Sequence, residues 1–527
     1  MKPAGAPHSP FTPPDLEELA AHGISANEAG RQLDLLAHPP APLVLDRPCG
    51  VGDGIVTIGA AEGGDLLKLH AEVADRGRVS VFVPASGAAT RMFRQLLTVR
   101  ADASLGSPEG LEAAASSGHA EARATREFLA GLDRFAFFAE LKAAAERGGV
   151  PLRSLVRTGP ITPILAALLD DSGLGYAALP KGLLAFHDYP DGSRTPFDEH
   201  LVEATRFAAD GGHRCRLHFT VSPEHRALFE ARLAAVAPRI EERLGASFEV
   251  GFSVQKPSTD TIAATPEGAP IRIGGGRLLL RPAGHGALIE NLADLGADLV
   301  LIRNIDNVAH DRFKRDTFTW SRLLLGLAAR LERTASSLWR SLEGGGDEKV
   351  VADATQFLTA TFRRSASFAA SAPRSERAAW ARAQLARPVR VCGMVPNTGE
   401  PGGGPMWVRG PGGETTPQVV ELSEVSADDP GQQAVAGAAT HFNPVFMALA
   451  LRDAGNRPYR LADFVDQSAV IIVKKSAEGR DLLALERPGL WNGAMAGWNT
   501  VFVEVPITVF NPVKTVNDLL RKEHQAG

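Results

Sequence analysis

At 527 residues the chain exceeds what one ordinary hydrophobic core holds, so two or more lobes are expected. Its 44 % apolar and 22 % charged residues match a soluble globular protein, and a net charge of −5 gives no basic field of the kind that tracks nucleic acid. Cys49, Cys215 and Cys392 lie far apart without CxxC spacing, which suggests neither a disulfide framework nor a structural zinc site. The amino terminus lacks the apolar core of a signal peptide and no run approaches roughly 18 apolar residues, so the expected compartment is the cytoplasm, with no membrane partner.

Residues 1–13 are Pro-rich and read as disordered. Asp15–Leu19 and Ser25–Glu28 read as helix starts, the second with a serine cap and a glutamate three positions on. A Pro-rich linker over 39–48 leads to a predicted strand at Gly54–Ile58 and a helix over 62–75. The next stretch, VSVFVPASGAATRMF from Val79 to Phe93, opens as a buried strand and stops at Pro84-Ala85-Ser86-Gly87. Small residues there let backbone N–H groups approach a phosphate where a helix begins, and Arg91 adds a fork-shaped cation. Any strand-to-helix turn of an α/β protein favours small residues too, so the stretch alone leaves both readings open.

From 100 to 172 the pattern is helical and alanine-rich, which predicts an inserted subdomain. A short strand is expected at Gly175–Leu179, followed by Pro180-Lys181-Gly182, where Lys181 is either a phosphate-binding cation or an ordinary turn lysine. A helix over 195–209, a strand over 215–221, a helix over 224–244 and a strand over 248–254 ending at Gln255 then alternate as in a mostly parallel sheet. Ligands of such sheets sit beyond the carboxyl ends of the strands, where Ser86, Lys181 and Gln255 all fall.

Arg281–Leu288 is a glycine-flanked turn containing Gly284 and His285, the histidine being either a ligand contact or a solvent-facing turn residue. Leu299–Arg303 is an apolar strand that ends in Asn304-Ile305-Asp306-Asn307. A carboxylate so placed suits Mg²⁺, which takes one or two carboxylates plus phosphate oxygens; capping a turn is the alternative. Residues 312–387 are helical, with breaks at Gly344–Gly346 and Ser371–Pro373. Val389–Val395 is a strand, 397–417 a Gly/Pro-rich loop, and Gln418–Leu422 a further strand. Thr440–Pro444 reads as a helix start and Val470–Val473 as a strand. The stretch from Gly489 to Val505 is a polar–aromatic cluster with Trp491 and Asn492, and Phe510–Thr515 leads into a helix ending at Glu523.

The order of these motifs resembles that of the UDP-sugar pyrophosphorylases, uridylyltransferases on a GT-A-type α/β fold. The family's glycine-rich loop ending in Thr-Arg is similar to Ser86-Gly87-Ala88-Ala89-Thr90-Arg91, its Pro-Lys-Gly to Pro180-Lys181-Gly182, and its uracil-reading glutamine to Gln255. Its Gly-Asn-Gly-Gly turn is similar to Gly284–Ala287, its Val-Asp-Asn metal site to Ile305-Asp306-Asn307, and its Val-Val-Glu-Tyr-Ser-Glu to Val419–Glu424. Asn-His-Phe resembles Thr440-His441-Phe442, and the terminal Pro-x-Lys resembles Pro512-Val513-Lys514. The stretches GMVPNTGEPGGGPMWV and GLWNGAMAGWNTVFVEVPITVFNPVKTVNDLLR look like a bacterial branch catalogued as a domain of unknown function.

The resemblance implies a GT-A or Rossmann-like, mostly parallel central sheet with helical insertions and a C-terminal sugar-side subdomain. The implied organisation is an N-terminal helical segment (1–75), a nucleotide-binding half (76–310) with its insertion at 100–172, a helical insertion (311–388) and a sugar-side half (389–527). The implied reaction joins an NTP, UTP in the first instance, to a sugar 1-phosphate with release of pyrophosphate. It implies Mg²⁺ on Asp306; Arg91, Lys181 and Lys514 as catalytic cations; Ser86, Gly87, Ala88, Thr90, Gln255, Gly284 and His285 for the nucleotide; and Asn307, Glu421, His441 and Asn492 for the other substrate. Three departures stand out. The loop has fewer glycines, roughly 90 residues separate Arg91 from Lys181, and a second helical insertion precedes Val389. A GT-A glycosyltransferase would need Asp-x-Asp at the strand end, where Asn304-Ile305-Asp306 offers one carboxylate. A third reading is a catalytically silent nucleotide-sugar sensor. No GxxxxGK[ST] occurs, which disfavours a Walker A kinase.

Overall fold

A computed structural model of the chain describes residues 10–87, 89–152, 155, 159–366, 371–399, 402–410, 412–477 and 480–527. Most of the Pro-rich start, and Ala88 of the expected nucleotide loop, lie outside these. The chain divides into two compact units. The first comprises Ala74–Ser253, Ile302–Arg322 and Pro506–Gly527; the second comprises Met1–Val73, Val254–Leu301 and Leu323–Val505.

In the first unit the strand Val79–Pro84 pairs in parallel with Arg214–Thr220, which pairs in parallel with Ser247–Ser253. Val79, Val81, Phe82 and Val83 are all buried, as expected for a strand with both faces covered. The helix Pro196–Phe207 starts on a capping box, Thr195 and Asp198 each bonding the other's backbone N–H, with proline at its first position. The helix Arg226–Leu244 stops at Gly245, whose φ of +61° is a left-handed cap. Helices Pro108–Ser116, Ala120–Ala130, Phe138–Arg147 and Thr162–Leu169 form the alanine-rich insertion. Their core holds Phe128, Phe135, Phe137 and Tyr176, with the Phe135 and Phe137 rings stacked at 4.9 Å. The same apolar cluster includes Val308, Val513 and Val516, so the packing that holds the insertion also anchors the chain beside Asp306 and Lys514.

The strand expected at Gly175–Leu179 does not form. Gly175 turns at φ +65°, Tyr176 enters the aromatic core, and the segment's carbonyls go to Ala89 and Thr90 instead of a sheet ladder. The expected helix to Glu523 is two short 3₁₀ turns, Val516–Leu520 and Lys522–His524.

In the second unit Val389–Pro396 pairs in parallel with Asn499–Glu504, and that strand in parallel with Gly54–Val56. Phe446–Ala450 runs antiparallel on the other side of Val389–Pro396. Leu45–Pro48, Gly404–Arg409 and Thr415–Val420 make a three-stranded antiparallel sheet, so strands occupy part of both the expected 39–48 linker and the 397–417 loop. A further antiparallel sheet joins Ile471–Ala477, Arg480–Glu486, Thr261–Ala264 and Leu280–Arg281; Leu19, Leu33 and Leu36 of the first two helices pack on it. The helix expected from Thr440 is instead the strand His441–Phe442, which pairs with Val395 and Pro396. The Asn443 carboxamide accepts from the Val445 N–H at 2.6 Å and Val445 adopts φ +57°, which turns the chain into the next strand.

The fold class is α/β with a mostly parallel central sheet, as the sequence pattern implies, and smaller antiparallel sheets beside it. Among the described residues no helix is long and apolar enough to cross a membrane, and all three cysteines are free and buried.

Candidate active site

In the first unit, four segments that are remote in sequence are stitched together by backbone hydrogen bonds. Beyond the strand Val79–Pro84, Ser86 and Gly87 are exposed. The Gly87 carbonyl accepts from the Lys181 N–H (3.3 Å), and Ala89 N–H donates to Leu179 (3.1 Å). Met92 accepts from Val516 N–H (3.2 Å), and Asp306 accepts through its backbone from Val513 N–H (3.2 Å). Asn307 braces the last of these joins: its Nδ2 donates to Val509 (3.2 Å) and its Oδ1 accepts from Asn511 N–H (2.8 Å). Its carboxamide is thereby committed to the 509–511 turn.

This stitching places Lys181 Nζ 2.9 Å from Asp306 Oδ2 and 2.8 Å from the Val513 carbonyl, while Lys514 Nζ lies 3.9 Å from the same carboxylate oxygen. Lys181 and Asp306 are largely buried, with side chains 14 % and 11 % exposed; Lys514 is 50 % exposed. The Asp518 carboxylate accepts from the backbone N–H groups of Lys514 and Thr515, which fixes the root of that lysine. Thr90 and Arg91 are exposed on the same loop as Ser86. The result is two cations around one carboxylate at the end of a buried strand, beside an exposed small-residue turn.

The turn carrying Asp306 is held from below. His200 Nε2 donates to the Asn304 and Ile305 carbonyls (3.2 and 3.3 Å), and Arg303 Nη2 donates to the Asn307 carbonyl (2.6 Å). Burial, aided by the Arg303 charge, pulls the His200 pKa down to about 3, so the ring is neutral. Beneath it runs a buried ionic network that no motif in the sequence announces. Lys314 meets Glu199, Asp311 (3.1 Å) and Glu203 (3.7 Å), while His187 and Tyr189 bond Glu199 at 2.8 and 2.9 Å. The available signal was the density of Asp198, Glu199, His200 and Glu203 on one helix, but a solvated helix face carries the same residues.

Lys181 bonds Oδ2 of Asp306 and Lys514 lies nearest the same oxygen, so a divalent cation would find a single carboxylate here and would have to draw its remaining oxygens from a ligand. Among the described residues no cluster of three or more His, Cys, Asp or Glu side chains forms a ready-made cage.

The other sequence-derived candidates lie in the second unit. Gln255 Nε2 donates to Asp260 at 3.3 Å. Gly284 sits at φ +76°, and a Cβ on Gly286 would fall 2.1 Å from the Pro488 carbonyl, so the turn requires glycine there. His285 stacks on Trp491 with ring centroids 4.2 Å apart and accepts the Leu490 N–H at Nδ1 (3.0 Å), which leaves the proton on Nε2, 3.7 Å from Glu421. His285 beside it holds the Glu421 carboxyl below its ordinary range. Asn492 Nδ2 donates to Glu424 Oε2 (2.7 Å), which also accepts the Glu421 N–H (2.8 Å). His441 is buried, 3.5 Å from Glu504. Glu424 also lines a cavity of about 160 Å³ between Pro39–Leu43 and Ser468–Ile472, smaller than a nucleotide pocket.

Glu424 closes the matched Val419–Glu424 stretch, but the sequence assigns it no role. Burial pushes its pKa from 4.5 up to about 7. A carboxyl that binds its proton more tightly folded than unfolded favours folding in acid: its contribution is complete below about pH 4.5, declines as pH rises to about 7, and is lost above that. Glu424→Gln keeps an oxygen for both N–H donors and removes the charge. It is expected to raise stability at pH 8 by about 2–3 kcal/mol and to leave it unchanged at pH 4. Urea denaturation at the two pH values checks this, and an equal effect at both would discard the assignment.

A family model described as "Domain of unknown function (DUF4301)" matches residues 12–525. No curated protein matches the chain. Among solved structures it is similar to a UDP-N-acetylglucosamine pyrophosphorylase from Trypanosoma brucei in complex with an inhibitor, at 14 % identity and a TM-score of 0.46, over 97 % of this chain and 79 % of that one. It is also similar to a point mutant of UDP-glucose pyrophosphorylase from Leishmania major, at 11 % identity and a TM-score of 0.45, over 99 % and 82 % of the two chains. A UDP-glucose phosphorylase from Trypanosoma brucei is similar at 11 % identity and a TM-score of 0.45, over 97 % and 80 %.

Proposed function

We propose that this chain, which belongs to the DUF4301 family, is a nucleotidyltransferase that joins an NTP to a sugar 1-phosphate or a similar phosphorylated acceptor. An oxygen of the acceptor phosphate attacks the α-phosphorus of the NTP, the bond from that phosphorus to its β-bridging oxygen breaks, and pyrophosphate leaves with the electron pair. Such chemistry needs positioning and charge neutralisation more than covalent help.

The observation that carries this reading is the Lys181–Asp306–Lys514 arrangement. A lysine held at 2.9 Å from a strand-end carboxylate, with a second, half-exposed lysine at 3.9 Å, is a place where phosphate oxygens can replace the carboxylate as partner of each ammonium. Asp306 would hold Mg²⁺, which when bound neutralises phosphate charge. Ser86, Gly87 and Thr90 offer N–H and hydroxyl donors to phosphate, and Arg91 a bidentate fork. Gln255, Gly284 and His285 remain candidates for base recognition, and Glu421, His441 and Asn492 for the sugar. Asn307 serves by bracing the 509–511 turn.

The test is incubation of the protein with Mg²⁺, each of the four NTPs and a panel of sugar 1-phosphates, following pyrophosphate and nucleotide-sugar together. Equimolar formation of both with at least one pair is expected. Transfer of the sugar from an added UDP-sugar to an acceptor with UDP as the leaving group, without pyrophosphate from any pair, would instead establish the glycosyltransferase reading.

A further inference from the structure

Three arginines of the second unit meet at one corner of the fold, with no acidic partner among the described residues. Arg364, just past the helix Glu348–Thr361, donates Nε to Asn499 Oδ1 (3.2 Å) and Nη2 to the carbonyls of Gly497 and Trp498. Arg387, just past the helix Arg374–Leu385, donates Nη1 to the same Gly497 carbonyl at 3.0 Å. Arg390, fully buried on the strand Val389–Pro396, donates to Thr500 Oγ1 (2.8 Å), the Trp491 carbonyl (2.7 Å) and Gln418 Oε1 (3.0 Å).

Every acceptor is neutral, and among the described residues no carboxylate pairs with any of the three. Residues 367–370, which come after Arg364 and lie outside the described ones, read Ser-Phe-Ala-Ala and bring no acid. Cations taken from water without a counter-charge are costly, and more so when they repel one another. Burial, with the charges of Arg387 and Arg390, draws the Arg364 pKa down to about 9. Carbonyl dipoles satisfy the inner N–H groups only. Nη1 of Arg364 and both Nε and Nη2 of Arg387 meet no acceptor among the described residues, and both side chains are only partly covered.

We propose that Arg364 and Arg387 form a binding site for a tetrahedral oxyanion, inorganic phosphate or the phosphoryl group of a small metabolite, with Arg390 as the buried charge behind it. The two guanidinium groups donate to one carbonyl, that of Gly497, which brings them within reach of a common ligand. Their three open nitrogens match the three oxygens of a phosphoryl group better than the two of a carboxylate. The site is separate from the Lys181–Asp306 arrangement in sequence and in unit, and it does not require the chain to release pyrophosphate.

Calorimetric titration with inorganic phosphate, in a background where Lys181 and Lys514 are methionine, isolates this site. Arg387→Met and Arg364→Met are each expected to weaken phosphate binding by about tenfold or more, with Arg387→Lys in between because it keeps charge and loses the fork. Tighter binding of glycerol phosphate than of phosphate assigns a metabolite as the ligand, and the reverse assigns the free anion. On the unmodified protein, phosphate should slow phenylglyoxal labelling of Arg364 and Arg387, mapped by mass spectrometry, which needs no variant to fold. Undiminished labelling at millimolar phosphate, or phosphate affinity unchanged in Arg387→Met, overturns the site.

Discussion

Lys181→Met is expected to lower the rate of pyrophosphate formation by about 10²–10³-fold, with a much smaller change in KM for the sugar phosphate. The ammonium is not a loose surface charge. Its Nζ is anchored by the Val513 carbonyl at 2.8 Å, and its backbone N–H by Gly87 at 3.3 Å, so it stays where phosphate charge develops without reorganising. Methionine keeps the apolar stem and removes only the charge and its donors. Lys514→Met should be milder, because that side chain is half exposed and 3.9 Å from the carboxylate, and its loss should appear more in KM. Asp306→Asn should reduce turnover at least as much as Lys181→Met, and excess Mg²⁺ should not restore it. The double variant should be little worse than the more damaged single one, since the pair acts as a unit. Thermal denaturation of each variant separates lost chemistry from lost fold. Wild-type turnover by a folded Lys181→Met protein would sink the assignment.

Some of these residues were visible in sequence and others were not, and the difference lies in how far their causes reach. The position of Asp306 just past a strand end was legible because the apolar run Leu299–Arg303 announces a buried strand. Lys181 was legible as a type of residue in a type of turn, but its partner lies 125 positions away and had to be found in space. The strand Gly404–Arg409 was hidden by the glycines and prolines around it, although Met406, Trp407 and Val408 are all buried. Asn499–Glu504 was hidden by a preceding run rich in Gly, Asn and Trp. Thr440–Pro444 reads as a helix start in sequence, and a pairing with Val395 and Pro396 decided otherwise. Glu424 shows the same limit in a titrating group. Nothing in Leu-Ser-Glu distinguishes a carboxyl driven up to about 7 from a solvated one, because the burial responsible comes from the fold.

Lys314→Met is expected to be the most destabilising single substitution in the first unit outside its apolar core, by about 3–5 kcal/mol at neutral pH. Lys314 is fully buried between Glu199, Glu203 and Asp311. Burial by itself raises the pKa of Glu199. The Lys314 charge and the His187 bond overcome that and carry it well below 4.5, so its contribution to stability is present above about pH 4.5 and lost only in stronger acid. Without Lys314 burial has less to oppose it, and the folded pKa of Glu199 should move above 4.5; Glu203, whose pKa burial already raises, should move further up. The sign then reverses: these carboxyls favour the folded state while protonated and penalise it once ionised, so the variant should lose stability as pH rises from about 4.5 to 7.5. The gap between wild type and variant in urea denaturation should therefore already be open at pH 4.5 and widen further up to pH 7.5. Adding Glu199→Gln to Lys314→Met should recover about 1–3 kcal/mol at pH 7.5, since it removes a charge that has lost its partner. Glu199→Gln alone should destabilise, since it strands the lysine. A Lys314→Met protein equally weakened at both pH values would mean that packing of the lysine stem, and not its charge, holds the helix Pro196–Phe207 in place beneath the Asp306 turn.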